Sequence, residues 1–367
     1  MQFRAAVLHA PGEPLAIRTV ECGPLAPDDV LVRIRAASIC HTDLEVMTGE
    51  LRYPMPMILG HEAAGEVAAV GGSVMGLTVG NRVALHWNPH CGTCYHCERD
   101  EPLLCEPYSR GRAKGSHFDG RHPLTLDGQP LNILMYLGGF AEYCVVPQQS
   151  AVKMPADLPF DRACLLGCGV MTGIGGAINV AEVRWGDSVA VLGCGAIGLA
   201  AVQGARLAGA GCIVAVDLDD AKLAVARSVG ATATVNARTE DTVARIKALT
   251  AGRGADVVLE AAGSDAVFRS SVEALRQGGQ LVWLGKVNVD REISFRWGSL
   301  MGERRIVRSS YGGAKPHRDF PMMARAYLDG RLDLDSLISG RVTLDGINEG
   351  FDRLRRGEAI RTIVDFP

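Results

Sequence analysis

Three groups of residues in this 367-residue chain have types and spacings that could do chemistry. The first is Gly193-Cys194-Gly195-Ala196-Ile197-Gly198, which ends the apolar run Val189–Leu192 and opens an alanine- and leucine-rich helical stretch. A second apolar run, Ile213 to Val216, is closed by Asp217. Strand, glycine turn, helix, strand and acid form the context a dinucleotide-binding fingerprint requires. Gly193 permits the tight turn, Gly195 lets backbone approach a pyrophosphate, and Gly198 lets the helix lie close to the sheet. Ala196 and Ile197 open a helix whose free N–H groups and positive dipole end suit phosphates. Asp217 would accept hydrogen bonds from the adenosine ribose hydroxyls and repel a 2′-phosphate, which favours NAD over NADP.

The second group is Cys91-Gly-Thr-Cys94-Tyr-His-Cys97, followed after seven residues by Cys105. Four thiolates in one short loop can close a tetrahedral sulfur site, which suits structural zinc and leaves no open position for reaction. An iron–sulfur cluster and a loop of free cysteines are the alternatives. A ferredoxin-type run wants its fourth cysteine sooner and followed by proline, whereas Glu106 follows Cys105 here. The third group is dispersed: Cys40-His41-Thr42-Asp43, Gly60-His61-Glu62 and Gly167-Cys168-Gly169. Taken singly, such residues are more often core cysteines or surface histidines. Taken as a Cys₂His set, they would leave a fourth zinc position for water or substrate.

The elements that must position these groups change character along the chain. Residues 1–169 are β-rich, with short strands expected at Phe3–Leu8, Val30–Ala36, Gly65–Val70, Arg82–Leu85 and Ala141–Val146 between proline and glycine turns. From 170 to 312, strands alternate with helices. After Asp217 the pattern gives a helix (Asp220–Val229), a strand (Ala233–Val235), a helix (Glu240–Thr250), a strand (Asp256–Glu260), a helix (Ala266–Leu275) and strands at Gln280–Leu284 and Arg305–Ser309. Six strands with helical crossovers predict an α/β, doubly wound parallel sheet. The tail, 313–367, ends in a strand-like Ile360–Asp365 and is expected to return to the first domain. The net charge of −3 comes from interspersed signs, which argues against a nucleic-acid or membrane-surface partner. The opening MQFRAAVLHA lacks a signal peptide's pattern, and no stretch reads as a membrane span. Eleven cysteines without a secretory signal then point to metal ligands or catalytic thiols in a cytoplasmic protein.

Those motifs together, with GHEAAGEVAAVGGSV at 60–74, GCGVMTG at 167–173 and IRTIVDF at 360–366, resemble the zinc-containing medium-chain dehydrogenase/reductase superfamily, near its class III-like and aryl-alcohol dehydrogenases. The resemblance spans nearly the whole chain. It implies a GroES-like catalytic domain (1–169 and 313–367, with a structural zinc lobe at about 90–106) and a Rossmann NAD-binding domain (170–312). It further implies that Cys40, His61 and Cys168 hold a catalytic zinc, with Glu62 behind the metal and Asp43 orienting the His61 imidazole. By the same resemblance, Thr42 begins a proton relay, His41 and Arg361 contact the pyrophosphate, Lys222 the adenosine ribose, and Thr172 the nicotinamide side. Trp87, Tyr136 and Leu137 fall where substrate would lie. The chain departs from several relatives by carrying Glu45, not histidine, three residues after Thr42. It also carries Ser109, with Arg110 adjacent, where glutathione-using members carry arginine four residues beyond the last lobe cysteine.

The activity implied is hydride exchange between NAD and a medium-sized aromatic or allylic primary alcohol or its aldehyde. S-(hydroxymethyl)glutathione (formaldehyde) oxidation is the alternative within the family, and a non-catalytic nucleotide-binding protein is the alternative outside it. A homodimer is expected by resemblance, with a tetramer as the other arrangement. Metal analysis of the pure protein should return about two zinc ions per chain, one in a closed and one in an open site. Cys168→Ser should abolish turnover while the lobe keeps its metal; iron and sulfide in the lobe would overturn this reading.

Overall fold

The structure, a computed structural model, describes every residue from Met1 to Pro367. It divides into two compact units, one of Met1–Cys168, Lys315–Gly330 and Ile338–Pro367, the other of Gly169–Ala314 and Arg331–Leu337. The tail is thus shared: the helix Pro316–Leu328 and the strands Ile338–Thr343 and Arg361–Asp365 belong to the first unit, while Arg331–Leu337 belongs to the second.

The first unit combines a small closed barrel with a seven-stranded sheet. The barrel is built from Gln2–Leu8, Ala16–Cys22, Leu124–Leu126, Gln129–Ile133 and Met57–Ile58, around buried Phe3, Val7, Val20, Ile58, Leu131 and Ile133. Four of these strands escape pattern reading because they are very short or interrupted by polar residues on their open face. The sheet runs in the order Ala151–Lys153, Arg82–Leu85, Ala63–Val70, Asp29–Ile39, Arg361–Asp365 and Ile338–Thr343, with Tyr143–Pro147 also paired to Asp29–Ile39.

Asp29–Ile39 is the strand on which the unit is assembled. Its sequence, DVLVRIRAASI, is mostly buried on both faces, as expected of a central strand rich in β-branched residues. Two neighbours approach its end in fixed register: Ala37 lies opposite Ala63, and Ile39 opposite Thr362. The chain then leaves the sheet at Cys40 and enters the helix His41–Thr48, which stops at Gly49 in the left-handed conformation (φ 82°).

The second unit is a six-stranded, all-parallel sheet in the order Ala233–Asn236, Cys212–Asp217, Ser188–Leu192, Ala255–Glu260, Leu275–Trp283 and Arg305–Arg308. This is the doubly wound order, and its direction of winding reverses between Ser188–Leu192 and Ala255–Glu260. The helix Asp265–Glu273 ends, and the next strand begins, earlier than the periodicity predicts; a register shift between Ala255 and Val257 accommodates the Gly278-Gly279 pair of that strand. No single helix is long and apolar enough to cross a membrane.

At the start of the helix Ala196–Leu207, Gly193 has φ 95°, and a Cβ placed on Gly198 would lie 1.7 Å from the Gly193 carbonyl oxygen. Any side chain at Gly198 must therefore push the helix off the strand. Gly198→Ala should cost about 1–3 kcal/mol of stability through overpacking. The check is thermal unfolding together with NADH titration, and an unshifted Tm with unchanged binding would contradict the close approach.

Candidate catalytic centre and cofactor cradle

Asp43 organises the dispersed set. It is fully buried in the first turn of the helix His41–Thr48, and its carboxylate meets three groups from two chain segments. Oδ2 accepts the Cys40 N–H at 3.2 Å, Oδ1 accepts the Gly60 N–H at 2.9 Å, and Oδ1 lies 3.1 Å from His61 Nδ1. A carboxylate only accepts, so this contact puts the imidazole proton on Nδ1 and leaves a lone pair on Nε2. His61 Nε2 is buried and has no hydrogen-bond partner.

Around that nitrogen the ligand atoms of Cys40, His61, Glu62 and Cys168 all lie within 4.8 Å of one another. Two thiols, one imidazole with a free lone pair and one carboxylate are a donor set that fits zinc, with ligand separations of roughly 3.5–3.8 Å expected in a tetrahedron. The Cys40 thiol is held well below its usual range, first by a hydrogen bond from Cys168 and then by the charge of Arg361. Cys168 is pushed up by the same hydrogen bond and by burial.

Glu62 is also fully buried, and burial pushes its carboxyl up to about 7 against the opposing charge of Arg361. The Arg361 guanidinium donates to Glu62 Oε1 at 3.2 Å and to Cys40 Sγ at 3.8 Å. Its own charge is retained despite burial because Glu62, Cys40 and Cys168 surround it. The register that pairs Thr362 with Ile39 places Arg361, the residue expected at the pyrophosphate, beside Cys40, where it pairs with Glu62 and the Cys40 sulfur. Strand pairing alone brings the two ends of the chain together here, so no local motif announced the Glu62–Arg361 pair.

In the lobe, the sulfur atoms of Cys91, Cys94, Cys97 and Cys105 likewise lie within 4.8 Å of one another. Cys94 and Cys97 are 3.6 Å apart and Cys91 and Cys97 4.0 Å apart at sulfur, far beyond disulfide length and bracketing the ~3.8 Å edge of a tetrahedral zinc–thiolate site. The short helix Tyr95–Glu98 turns Cys94 and Cys97 toward each other, and Cys105 accepts the Cys91 N–H at 3.3 Å.

In the second unit, Asp217 Oδ2 accepts the Cys194 N–H of the glycine turn at 2.6 Å, while Oδ1 accepts the N–H groups of Leu218 and Asp219. The carboxylate thus fixes the turn at the carboxyl edge of the sheet. A Cβ on Gly195 would meet nothing within 4 Å, so open space lies over the first turn of the helix, where a pyrophosphate fits. Ala196 and Gly198 are buried beneath it, Ile197 is half-buried, Thr172 is buried and Lys222 is half-buried.

The remaining expected residues separate. Thr42 and Glu45 are half-buried on the helix that begins after Cys40, and His41 is exposed at its start. Trp87, 9% exposed, follows the strand Arg82–Leu85, and a Cβ on Gly167, the residue before Cys168, would lie 2.8 Å from the Leu85 carbonyl. Tyr136 and Leu137 are each 1% exposed. The Tyr136 hydroxyl donates to the Tyr108 carbonyl at 2.8 Å, and its ring contacts Tyr108, Phe118 and His117. In this structure these two residues, expected near the substrate, pack among buried side chains of the first unit. Glu260 was not singled out from sequence, although, like Asp217, it is an acid that closes an apolar strand.

Two family models match the chain: the alcohol dehydrogenase GroES-like domain over residues 26–156 and the zinc-binding dehydrogenase domain over 196–329. An S-(hydroxymethyl)glutathione dehydrogenase of Escherichia coli O1:K1 is 37% identical over the whole of both chains. Among solved structures, an alcohol dehydrogenase zinc-binding domain protein from Burkholderia ambifaria superposes with a TM-score of 0.96 at 34% identity, covering 100% of this chain and 99% of that one. Benzyl alcohol dehydrogenase from Acinetobacter calcoaceticus does so with a TM-score of 0.95 at 31% identity, covering both chains entirely. A largely buried Cys₂His set, a four-thiol lobe and a glycine cradle on a parallel sheet thus coincide with full-length similarity, and the chain belongs to the zinc-dependent medium-chain alcohol dehydrogenases, oxidoreductases that use NAD and zinc.

Proposed function

We propose that this enzyme interconverts a medium-sized primary alcohol, aromatic or allylic, with its aldehyde. Trp87 carries this reading: a large indole, not wholly covered, follows the strand end whose Leu85 carbonyl lies against the Cys168 segment. Its ring is backed by Tyr108 at 6.4 Å between centroids, so the wall is aromatic for more than one residue's depth. Such a wall favours an apolar ring over ethanol by burial, at about 25 cal/mol per Å². The likeness to benzyl alcohol dehydrogenase supports the same class.

Zinc, when bound, would supply a Lewis acid for the alcohol oxygen, and NAD would supply the hydride acceptor. The chain's residues do the rest. Cys40, Cys168 and His61 would hold the metal, with Asp43 fixing the His61 tautomer through Nδ1. Glu62 stands behind the set as a further oxygen, its charge balanced by Arg361. The Thr42 hydroxyl takes the alcohol proton and hands it outward, with Glu45, one turn along the same helix, as the next acceptor. Asp217 and Lys222 would hold the adenosine ribose, and Thr172 would serve the nicotinamide side.

S-(hydroxymethyl)glutathione is the second reading, favoured by full-length identity to the Escherichia coli enzyme. Against it stands Ser109, whose hydroxyl donates to the Cys105 carbonyl at 3.3 Å and offers no charge to a carboxylate. A kcat/KM panel of benzyl alcohol, cinnamyl alcohol, octanol, ethanol, and formaldehyde with glutathione decides between them. Benzyl or cinnamyl alcohol should lead; if ethanol or the glutathione adduct leads, the aromatic reading fails.

Two substitutions test the assigned roles. Thr42→Ala should cut kcat at least about a hundredfold, the usual weight of a proton-transfer group, with NADH affinity nearly intact, and Thr42→Ser should restore most of the rate. Normal turnover by the alanine variant would remove Thr42 from the relay. Asp217→Gly should weaken NAD by about 1.5–3 kcal/mol through the lost ribose bonds. Because Asp217 also holds the Cys194 N–H, NADP should weaken too, but less, so that the NAD/NADP ratio of kcat/KM falls. An unchanged ratio would show that Asp217 does not face the ribose.

A further inference from the structure

Glu260 is a buried carboxyl group that none of the steps above uses. It ends the strand Ala255–Glu260 at the place where the sheet's winding reverses, directly in register with Leu192, the last residue before the glycine turn. In doubly wound sheets, ligands bind outside the carboxyl ends of the strands at that reversal. Two loops meet on Glu260, and one of them lies against the glycine turn. Its Oε1 accepts the N–H groups of Ala262 at 2.9 Å and Gly263 at 2.7 Å, and its backbone carbonyl accepts those of Leu284 and Gly285, both at 2.8 Å. The Ala261–Ala262 segment so held presses on the glycine turn: Ala261 N–H donates to the Leu192 carbonyl, and a Cβ on Gly193 would lie 2.8 Å from Ala262 N. The second oxygen, Oε2, is buried with no hydrogen-bond partner, and a Cβ on Gly285 would come within 2.4 Å of it.

We propose that Glu260 is a positioning residue for the dinucleotide: its carboxyl group sets the loops around the glycine turn, and its proton sets how tightly the cofactor is held. An uncharged acid keeps both backbone N–H groups through Oε1 and leaves the reversal point neutral for an incoming pyrophosphate. An ionised one places a negative charge in a dry setting beside that anion. Burial pushes the group up to about 7, opposed by the Gly263 and Ala262 N–H groups and by the charge of Arg308. Other ionisable groups on the elements packed around it are few. The helix Asp265–Glu273 carries Asp265 and Glu273, paired with Arg291 and Arg296, together with Arg269; the following loop carries Lys286; the strands beside it present Leu192 and Trp283 at its level.

Equilibrium NADH binding, followed by nucleotide fluorescence on the zinc-loaded enzyme between about pH 6 and 8.5, tests this without turnover. The wild-type Kd should rise at least about threefold as pH increases through this window, because ionisation adds repulsion. Glu260→Gln keeps an acceptor for both N–H groups and removes the proton, so its Kd should stay near the low-pH wild-type value throughout. A Gln variant that reproduces the wild-type pH dependence, or a wild-type Kd that does not change, overturns the proposal. If Glu260→Gln does not fold, Arg308→Ala takes its place. Loss of the facing cation should move the break in the Kd profile to higher pH, and a break that stays in place overturns the proposal equally.

Discussion

The catalytic centre depends on one carboxylate accepting three donors. Asp43 joins the helix that follows Cys40 to the turn that precedes His61, and does so with no water between them. Each bond is charge-assisted and buried, where removing one partner leaves the others unsatisfied at a cost of about 1–3 kcal/mol per group. The same contact fixes the His61 tautomer. Fold stability and ligand chemistry therefore rest on one side chain at this point, and a substitution there would disturb both.

Strand register carries the next level. His61 and Glu62 precede a strand paired to one side of Asp29–Ile39, and Arg361 begins a strand paired to its other side. A slip of one residue in either pairing would turn Glu62 or Arg361 to the opposite face of the sheet. Ser38 N–H donates to the Glu62 carbonyl at 2.9 Å and holds the first register at the point where it matters. The buried Glu62–Arg361 pair then balances charge in a medium where an unpaired ion would be far more costly. Two thiols, one of them driven toward thiolate, add further negative charge to the same pocket, which explains why a cation from the far end of the chain is drawn in.

The two units solve a common problem by different means. In the first, ligands from distant segments converge through antiparallel pairing; in the second, parallel strands present all their carboxyl ends on one edge, and two acids stand there. Asp217 ties the glycine turn from one side through Cys194, and Glu260 ties it from the other through Ala262. The cradle is thereby preorganised by short hydrogen bonds instead of by the ligand, which lowers the ordering cost of binding.

Much of this was legible in the sequence wherever the physics is local. The glycine turn, its flanking strands and the acid after the second strand are close neighbours whose spacing is their mechanism. The same holds for the Cys91–Cys105 lobe, where the short loop leaves the four thiols few ways to arrange themselves. The alternation of strands and helices announced the doubly wound sheet, since period and length distinguish the two element types over such a stretch. Strands of two or three residues, such as Met57–Ile58 and Leu124–Leu126, carry too little pattern to be read. Long-range consequences lay beyond composition and spacing. That Arg361 meets Glu62, that Tyr136 turns its hydroxyl to the Tyr108 carbonyl, and that Glu260 gathers two loops beside the glycine turn are decided only when strands separated by tens to hundreds of residues pair in one register. Side-chain burial then assigns each polar atom the partner that the fold brings within reach.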